Sequence, residues 1–285
     1  MTRTTESSQS VSNDEVRSFW DGNPVAAEGI AAEPGTPEFY ARFDAIREDD
    51  DCEAYDYSDM IHGYSTSAGK RVLDVGCGNG YVLSRYAMHG AEVEGVDITP
   101  KAIELSRRRF ELAGLEGSFQ TTDGEKLPFP DNHFDIACSM GVLHHIEDPS
   151  PMVAEMYRVL KPGGKLIAML YYRYSWKTIV IIRLKRLVHP KYRGKTQQQA
   201  LNMNDGDDCP LALVYSKAEA KDLFSAFERH RFRLNQLSWK QLLLIPPLAR
   251  LLKPVLPRSS DNFFARRLGW NLYIEAYKPL DTTSG

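Results

Sequence analysis

The sequence predicts a doubly wound α/β fold: a seven-stranded, mostly parallel sheet with helices on both faces and helical cap insertions. Three observations predict it. From Lys70 onward, short apolar runs alternate with helical patterns, the rhythm of strand–helix–strand crossovers in a parallel sheet. Two helix starts, Thr99-Pro100 and Ser150-Pro151, read as a capping hydroxyl followed by a first-turn proline. The first apolar run also feeds a glycine-rich turn, Gly76 to Gly80, that opens a helical pattern.

Taken in order, residues 1–13 are rich in Ser and Thr, lack an apolar run and read as a disordered tail rather than a secretory signal. Residues 14–69 read as an N-terminal helical cap segment. A short helix covers 14–20, and repeated Gly and Pro make 21–37 a loop. Thr36 and Pro37 start a helix to about Arg47, with Phe39, Tyr40 and Phe43 at helical spacing, and the acidic run 48–51 is expected to be exposed. The main domain, 70–280, has strands at 71–75, 92–96, 118–122, 134–139 and 165–172, with helices at 81–89, from Thr99 to near Gly114, and from Ser150 to before Pro162-Gly163-Gly164. Insertions at about 171–214 and 240–265 interrupt the rhythm. Ser216 and Glu219 form a capping box for a helix to about Phe227. Strands at 231–239 and 270–277 complete the sheet.

Composition narrows the function. The 285 residues are 42% hydrophobic and 26% charged, ordinary for a globular chain, and the net charge of −3 gives no reason to expect nucleic acid. Cys52, Cys77, Cys138 and Cys209 form no C-x-x-C pair, so neither a zinc site nor a disulfide framework is indicated. Free thiols suit a reducing cytoplasm. No run approaches the roughly 18 apolar residues of a membrane span.

The chemistry-bearing segment is Val72-Leu73-Asp74-Val75-Gly76-Cys77-Gly78-Asn79-Gly80. Ligands in doubly wound sheets bind outside the carboxyl ends of the strands. Glycines let backbone turn tightly and approach a ligand. Asp97 ends the second strand 23 positions after Asp74, where an acid can hold ribose hydroxyls. Asp74 has a structural alternative, capping backbone groups, and Asp123 that of an ordinary turn residue.

These residues resemble the class I S-adenosylmethionine-dependent methyltransferases, particularly the ubiquinone/menaquinone-methyltransferase branch. Asp74-x-Gly76-x-Gly78-x-Gly80 has the family's spacing, whereas nicotinamide folds more often show G-x-G-x-x-G. The resemblance implies S-adenosyl-L-methionine as cofactor. It places the ribose at Asp97 with Ile98, the adenine amine near Asp123-Gly124-Glu125, and the methionine moiety against the glycine turn (Gly76, Cys77, Gly78, Gly80) and Met140. The likeness is strong over residues 70–172 and looser over the last two strands.

The resemblance implies methyl transfer by in-line displacement to a small-molecule or lipid-like acceptor; the alternative is an inactive cofactor-binding protein. His144 and His145 follow the fourth strand and are candidates for the base, or merely shape that loop. No metal is expected, since His144-His145-x-x-Asp148 is thin as a ligand set. Residues 171–204 contain eight Lys and Arg, no Asp or Glu, and interspersed Ile, Leu and Val. That stretch reads as a packed cap, a lid over an anionic or greasy substrate, or a peripheral contact with an anionic membrane.

Overall fold

The computed structural model describes residues 11–24, 29–49, 52–122, 126–243 and 262–280. Seven strands form one sheet in the order β3-β2-β1-β4-β5-β7-β6. They are β1 Arg71–Val75, β2 Glu92–Asp97, β3 Ser118–Thr121, β4 Phe134–Met140, β5 Leu160–Tyr171, β6 Glu228–Asn235 and β7 Asn271–Tyr277. The first five pair in parallel, and β7 inserts antiparallel between β5 and β6. The order reverses beside β1, so the cleft at its carboxyl end opens between β1 and β4.

The side-chain alternation of a strand sorts residues onto two cores. Leu73, Val75, Leu166, Ala168 and Leu170 face one core, with Val153 and Met156 of α6 (Ser150–Val159) and Ala220 of α9 (Lys217–Leu223). Val72, Ile167 and Met169 face the other, with Leu83 of α4 (Tyr81–Met88), Ile103 of α5 (Pro100–Ala113) and Phe39 of α2 (Pro37–Arg47). Covering both faces is what lets β1 be buried without alternation from Val72 to Val75.

Caps set several boundaries as the sequence predicts. Thr99 caps α5 by accepting from Ala102 N, and Gly114 ends that helix in the left-handed region. Thr36 caps α2, and Ser216 with Glu219 forms the capping box of α9. Other expectations need correction. α6 starts one residue early, at Ser150, with Pro149 in the cap position; Asp148 Oδ1 accepts from Ser150 N instead. α9 ends at Leu223 rather than near Phe227. β6 starts at Glu228 and stops at Asn235, before Gln236 turns to φ 66°.

The first helix, α1 (Asn13–Gly22), takes Ser12 as its cap, so Asn13 is helical; residues 1–10 of the expected tail lie outside the described residues. The segment 55–62, unassigned from sequence, is helix α3 (Tyr55–His62), which has no side-chain cap to announce it. Glu48, expected to be exposed, is half-buried and bonded by Arg85 of α4 and by the Tyr81 hydroxyl. The first insertion holds α7 (Ile182–Val188) and α8 (Gln197–Asn202). The second is described only to residue 243 and from 262.

Candidate active site

Three glycines in the turn after β1 have positive φ for three separate reasons. Gly76 (φ 78°) lies so close to the loop after β4 that a Cβ would sit 2.2 Å from Val142 Cγ2. Gly80 (φ 77°) packs against Ser106 of α5, where a Cβ would meet the backbone Cα at 3.2 Å. Gly78 (φ 55°) has nothing within 4 Å of its Cβ position. It is a bare stretch of backbone on a cavity wall, the feature a ligand needs for close approach.

The turn is tied to its neighbours by backbone. Gly76 N and Cys77 N both donate to Val96 O, at 2.8 and 3.0 Å. Gly78 N donates to Asp97 Oδ2 at 3.0 Å, while Asp97 Oδ1 accepts from the Thr99 N–H and hydroxyl, each at 3.0 Å. Burial nonetheless raises the Asp97 carboxyl above its ordinary value, outweighing those bonds. Asp74 is 2% exposed and stands behind the turn. Burial pushes its carboxyl up to about 8, and its Oδ1 has no hydrogen-bond partner among the described residues.

Gly78, Asp97, Ile98 and Met140 line one cavity of about 730 Å³ that also reaches His145, Tyr171, Lys177 and Asp205. That is within the roughly 300–1,000 Å³ of small-molecule sites. Gly76 is on its wall. Cys77 instead points inward, its thiol 3.6 Å from the Ser106 hydroxyl, and Gly80 supports the turn from the α5 side. Asp123, Gly124 and Glu125 lie outside the described residues, and neighbouring Thr122 is on the wall.

The two histidines part company. His144 is fully buried, its ring centroid 3.7 Å from that of Tyr171, and burial, with His145 second, drives its pKa well below the ordinary value. His145 faces the cavity. Its Nδ1 is 2.5 Å from Leu211 O. A carbonyl can only accept, so Nδ1 carries the proton and Nε2 keeps its lone pair. Burial lowers the His145 pKa, with Asp205 and Leu211 opposing, so the ring is neutral at pH 7. Trp20 of α1 packs edge-on against it, with centroids 4.9 Å apart.

Sequence reasoning missed the partners across from His145. Tyr171 donates its hydroxyl to Asp205 Oδ1 at 2.6 Å, and Asp205 Oδ2 is buried without a partner among the described residues. Lys177 lies over the Trp270 ring, 4.5 Å from its centroid. Burial lowers its ammonium to about 8 against the pull of Asp205. Asp205 lies 60 positions beyond His145, and no local motif joins them. The donor atoms of His145, Asp205 and Cys209 fall within 4.8 Å of one another. Burial holds Cys209 as a thiol, its pKa pushed up to about 12, and we assign no metal to the group.

Comparison with known proteins agrees with the fold. A methyltransferase-domain family model matches residues 73–168. The ubiquinone biosynthesis O-methyltransferase of Coxiella burnetii is 41% identical over 101 residues, 35% of this chain and 43% of that protein. The match therefore spans less than half of that relative. A SAM-dependent methyltransferase from Methanosarcina mazei superposes with a TM-score of 0.55 at 25% identity, covering 78% of this chain and 98% of its own. Magnesium protoporphyrin IX methyltransferase from Synechocystis, solved with bound SAH, shares the fold at a TM-score of 0.56 and 16% identity over 94% of this chain and all of its own. Residues 73–168 thus match a methyltransferase domain, within a sheet that shares the fold of the SAM-dependent methyltransferase from Methanosarcina mazei.

Proposed function

We propose that this chain methylates a small-molecule or lipid-like acceptor, with the cofactor at the glycine-turn end of the cavity and the acceptor at the His145 end. One observation carries the reading: Gly78 and Asp97 share a single cavity with a neutral, oriented imidazole. The residues present fit the cofactor. Gly78 leaves room for close approach, and the Asp97 carboxylate has lone pairs to accept from ribose hydroxyls. Ile98, Met140 and Gly76 are the remaining walls we assign to it.

S-adenosyl-L-methionine supplies a methyl group on a sulfonium, whose thioether leaves without acid assistance. The chain's own part is alignment and deprotonation. His145 Nε2 accepts the acceptor's proton. Asp205 favours the resulting imidazolium, as it already favours the charged ring. The unpartnered Asp205 Oδ2 and Lys177 position the polar end of the acceptor. Trp20, Tyr171 and Trp270 wall off water. His144, packed under Tyr171, holds the wall in place.

An acceptor screen reading S-adenosylhomocysteine release tests this, alongside calorimetry of cofactor binding. His145→Asn should lower turnover about 10²- to 10⁴-fold, the usual worth of a general base, with cofactor affinity unchanged. Wild-type turnover in that variant would remove the base assignment. Cofactor binding without release for any acceptor would favour a binding protein instead.

A further inference from the structure

We propose that α7 and the turn following it form a docking surface for an anionic lipid bilayer. The helical segment begins at Lys177 and runs through α7 to Val188. Its inner side is anchored: Ile182 is fully buried in one cluster with Tyr192, Leu201 and Trp270. Trp270 and Lys177 line the active-site cavity. The segment is therefore an outer wall of the acceptor end.

Its outer side does not resemble a solvated helix face. Leu187 is 79% exposed, Val188 70% and Leu184 41%. Leu184 and Val188 are four apart, as are Arg183 and Leu187, so all four share a face. A shallow pocket of about 330 Å³ lies between that face and the next turn, lined by Arg183, Arg186, Leu187, Gly194 and Lys195, with no acid among them. Arg186 is used locally, bonding Lys195 O at 2.8 Å. Among the described residues, Lys191 pairs with Asp207 and Arg173 with Glu219, while Arg183, Arg193 and Lys195 pair with no carboxylate.

Charge complementarity selects the occupant. Unpaired cations call for an anion, and protruding Leu and Val side chains between them call for a hydrocarbon phase just beyond it. An anionic bilayer surface offers both, with the phosphate of a headgroup in the pocket and the leucine tip below it. A soluble phosphate would leave the apolar tips in water. Docking in this orientation sets the acceptor end of the cavity against the membrane. The inference stands apart from the methyl-transfer reading, because binding is measured without turnover.

The test is sedimentation of the full chain with phosphatidylcholine vesicles, with and without about one third phosphatidylglycerol. Recovery should be at least about tenfold higher with the anionic vesicles and fall steeply with salt. Arg183→Gln with Lys195→Gln should weaken binding about fivefold per charge removed. Leu187→Asp with Val188→Asp, both at exposed positions, should abolish it while circular dichroism stays unchanged. Arg108→Gln, on α5 at the β3 edge of the sheet, should have no effect. Equal recovery on neutral and anionic vesicles, full binding by the aspartate variant, or complete release by millimolar inorganic phosphate would each overturn the proposal.

Discussion

Gly76 and Gly78 stand two positions apart in one turn, both with positive φ, yet their substitution should damage different properties. At Gly76 a methyl would overlap Val142 at 2.2 Å. Strain from φ 78° and overpacking together should cost about 2–4 kcal/mol in Gly76→Ala. At Gly78 a methyl meets no protein atom within 4 Å, so Gly78→Ala should lose only the roughly 1 kcal/mol of backbone strain. It should nevertheless weaken cofactor binding tenfold or more, because the methyl projects where the ligand must approach. Urea denaturation with cofactor calorimetry on both variants checks this. The turn was legible because tight strand–helix junctions need glycine in sequence. The division of labour within it was not, because the contacts of Gly76 and Gly80 are made by residues distant in sequence, Val142 and Ser106. His144 and His145 show the same limit. Adjacent in sequence, they are separated by one residue's rotation, which puts one ring in the core and the other on the cavity.

Elements meet at the site through Arg109 of α5. Its Nε donates to Asn79 O at 2.9 Å, and its NH1 donates to Asp44 of α2 at 2.8 Å. The guanidinium also lies over the Tyr40 ring, 4.6 Å from its centroid. Tyr40 in turn donates to Leu105 O at 2.7 Å. One 5%-exposed side chain thus joins α2, α5 and the glycine turn. Removing one partner of a buried ion pair costs about 3–5 kcal/mol. Arg109→Leu should therefore destabilise the fold by that order. It should also raise the hydrogen exchange of residues 37–47 more than that of the central strands. Uniform exchange across the chain would show α2 is not held this way. Helices with a capping hydroxyl or a first-turn proline, α2 and α5, were legible element by element. α3 was not, since Ala54 in the cap position makes no side-chain bond. The insertion helices lie on a chain segment whose apolar positions are split between Trp270 and the solvent-facing side, which blurs any single period.

At the scale of the whole molecule, buried titratable groups make stability pH-dependent, and their signs can be worked out. His62, 1% exposed, is lowered to about 3 by burial, with Lys165 and Arg47 adding. His144 and His145 are lowered too. A base lowered in the folded state leaves the unfolded chain binding more protons below its ordinary pKa of 6.5. Stability therefore falls with pH below that value, by about 1.4 kcal/mol per pH unit for each fully neutral histidine. Asp74 has the opposite sign. Raised to about 8 from 3.8, it is protonated in the folded state across pH 4–8, so its contribution is full at low pH and lost as pH rises to 8. Around pH 5 the His62 slope offsets that of Asp74, and the lowered His144 and His145 leave the net slope positive there. Above pH 7 only the Asp74 loss remains of these four. The melting temperature should therefore peak between about pH 6 and 7. His62→Gln should lower the acid slope by about 1.4 kcal/mol per pH unit, and Asp74→Asn should flatten the decline from pH 7 to 8. A melting profile whose acid limb is unchanged in His62→Gln would show that this ring takes up its proton in the folded state, which its burial between Tyr64 and Tyr86 forbids.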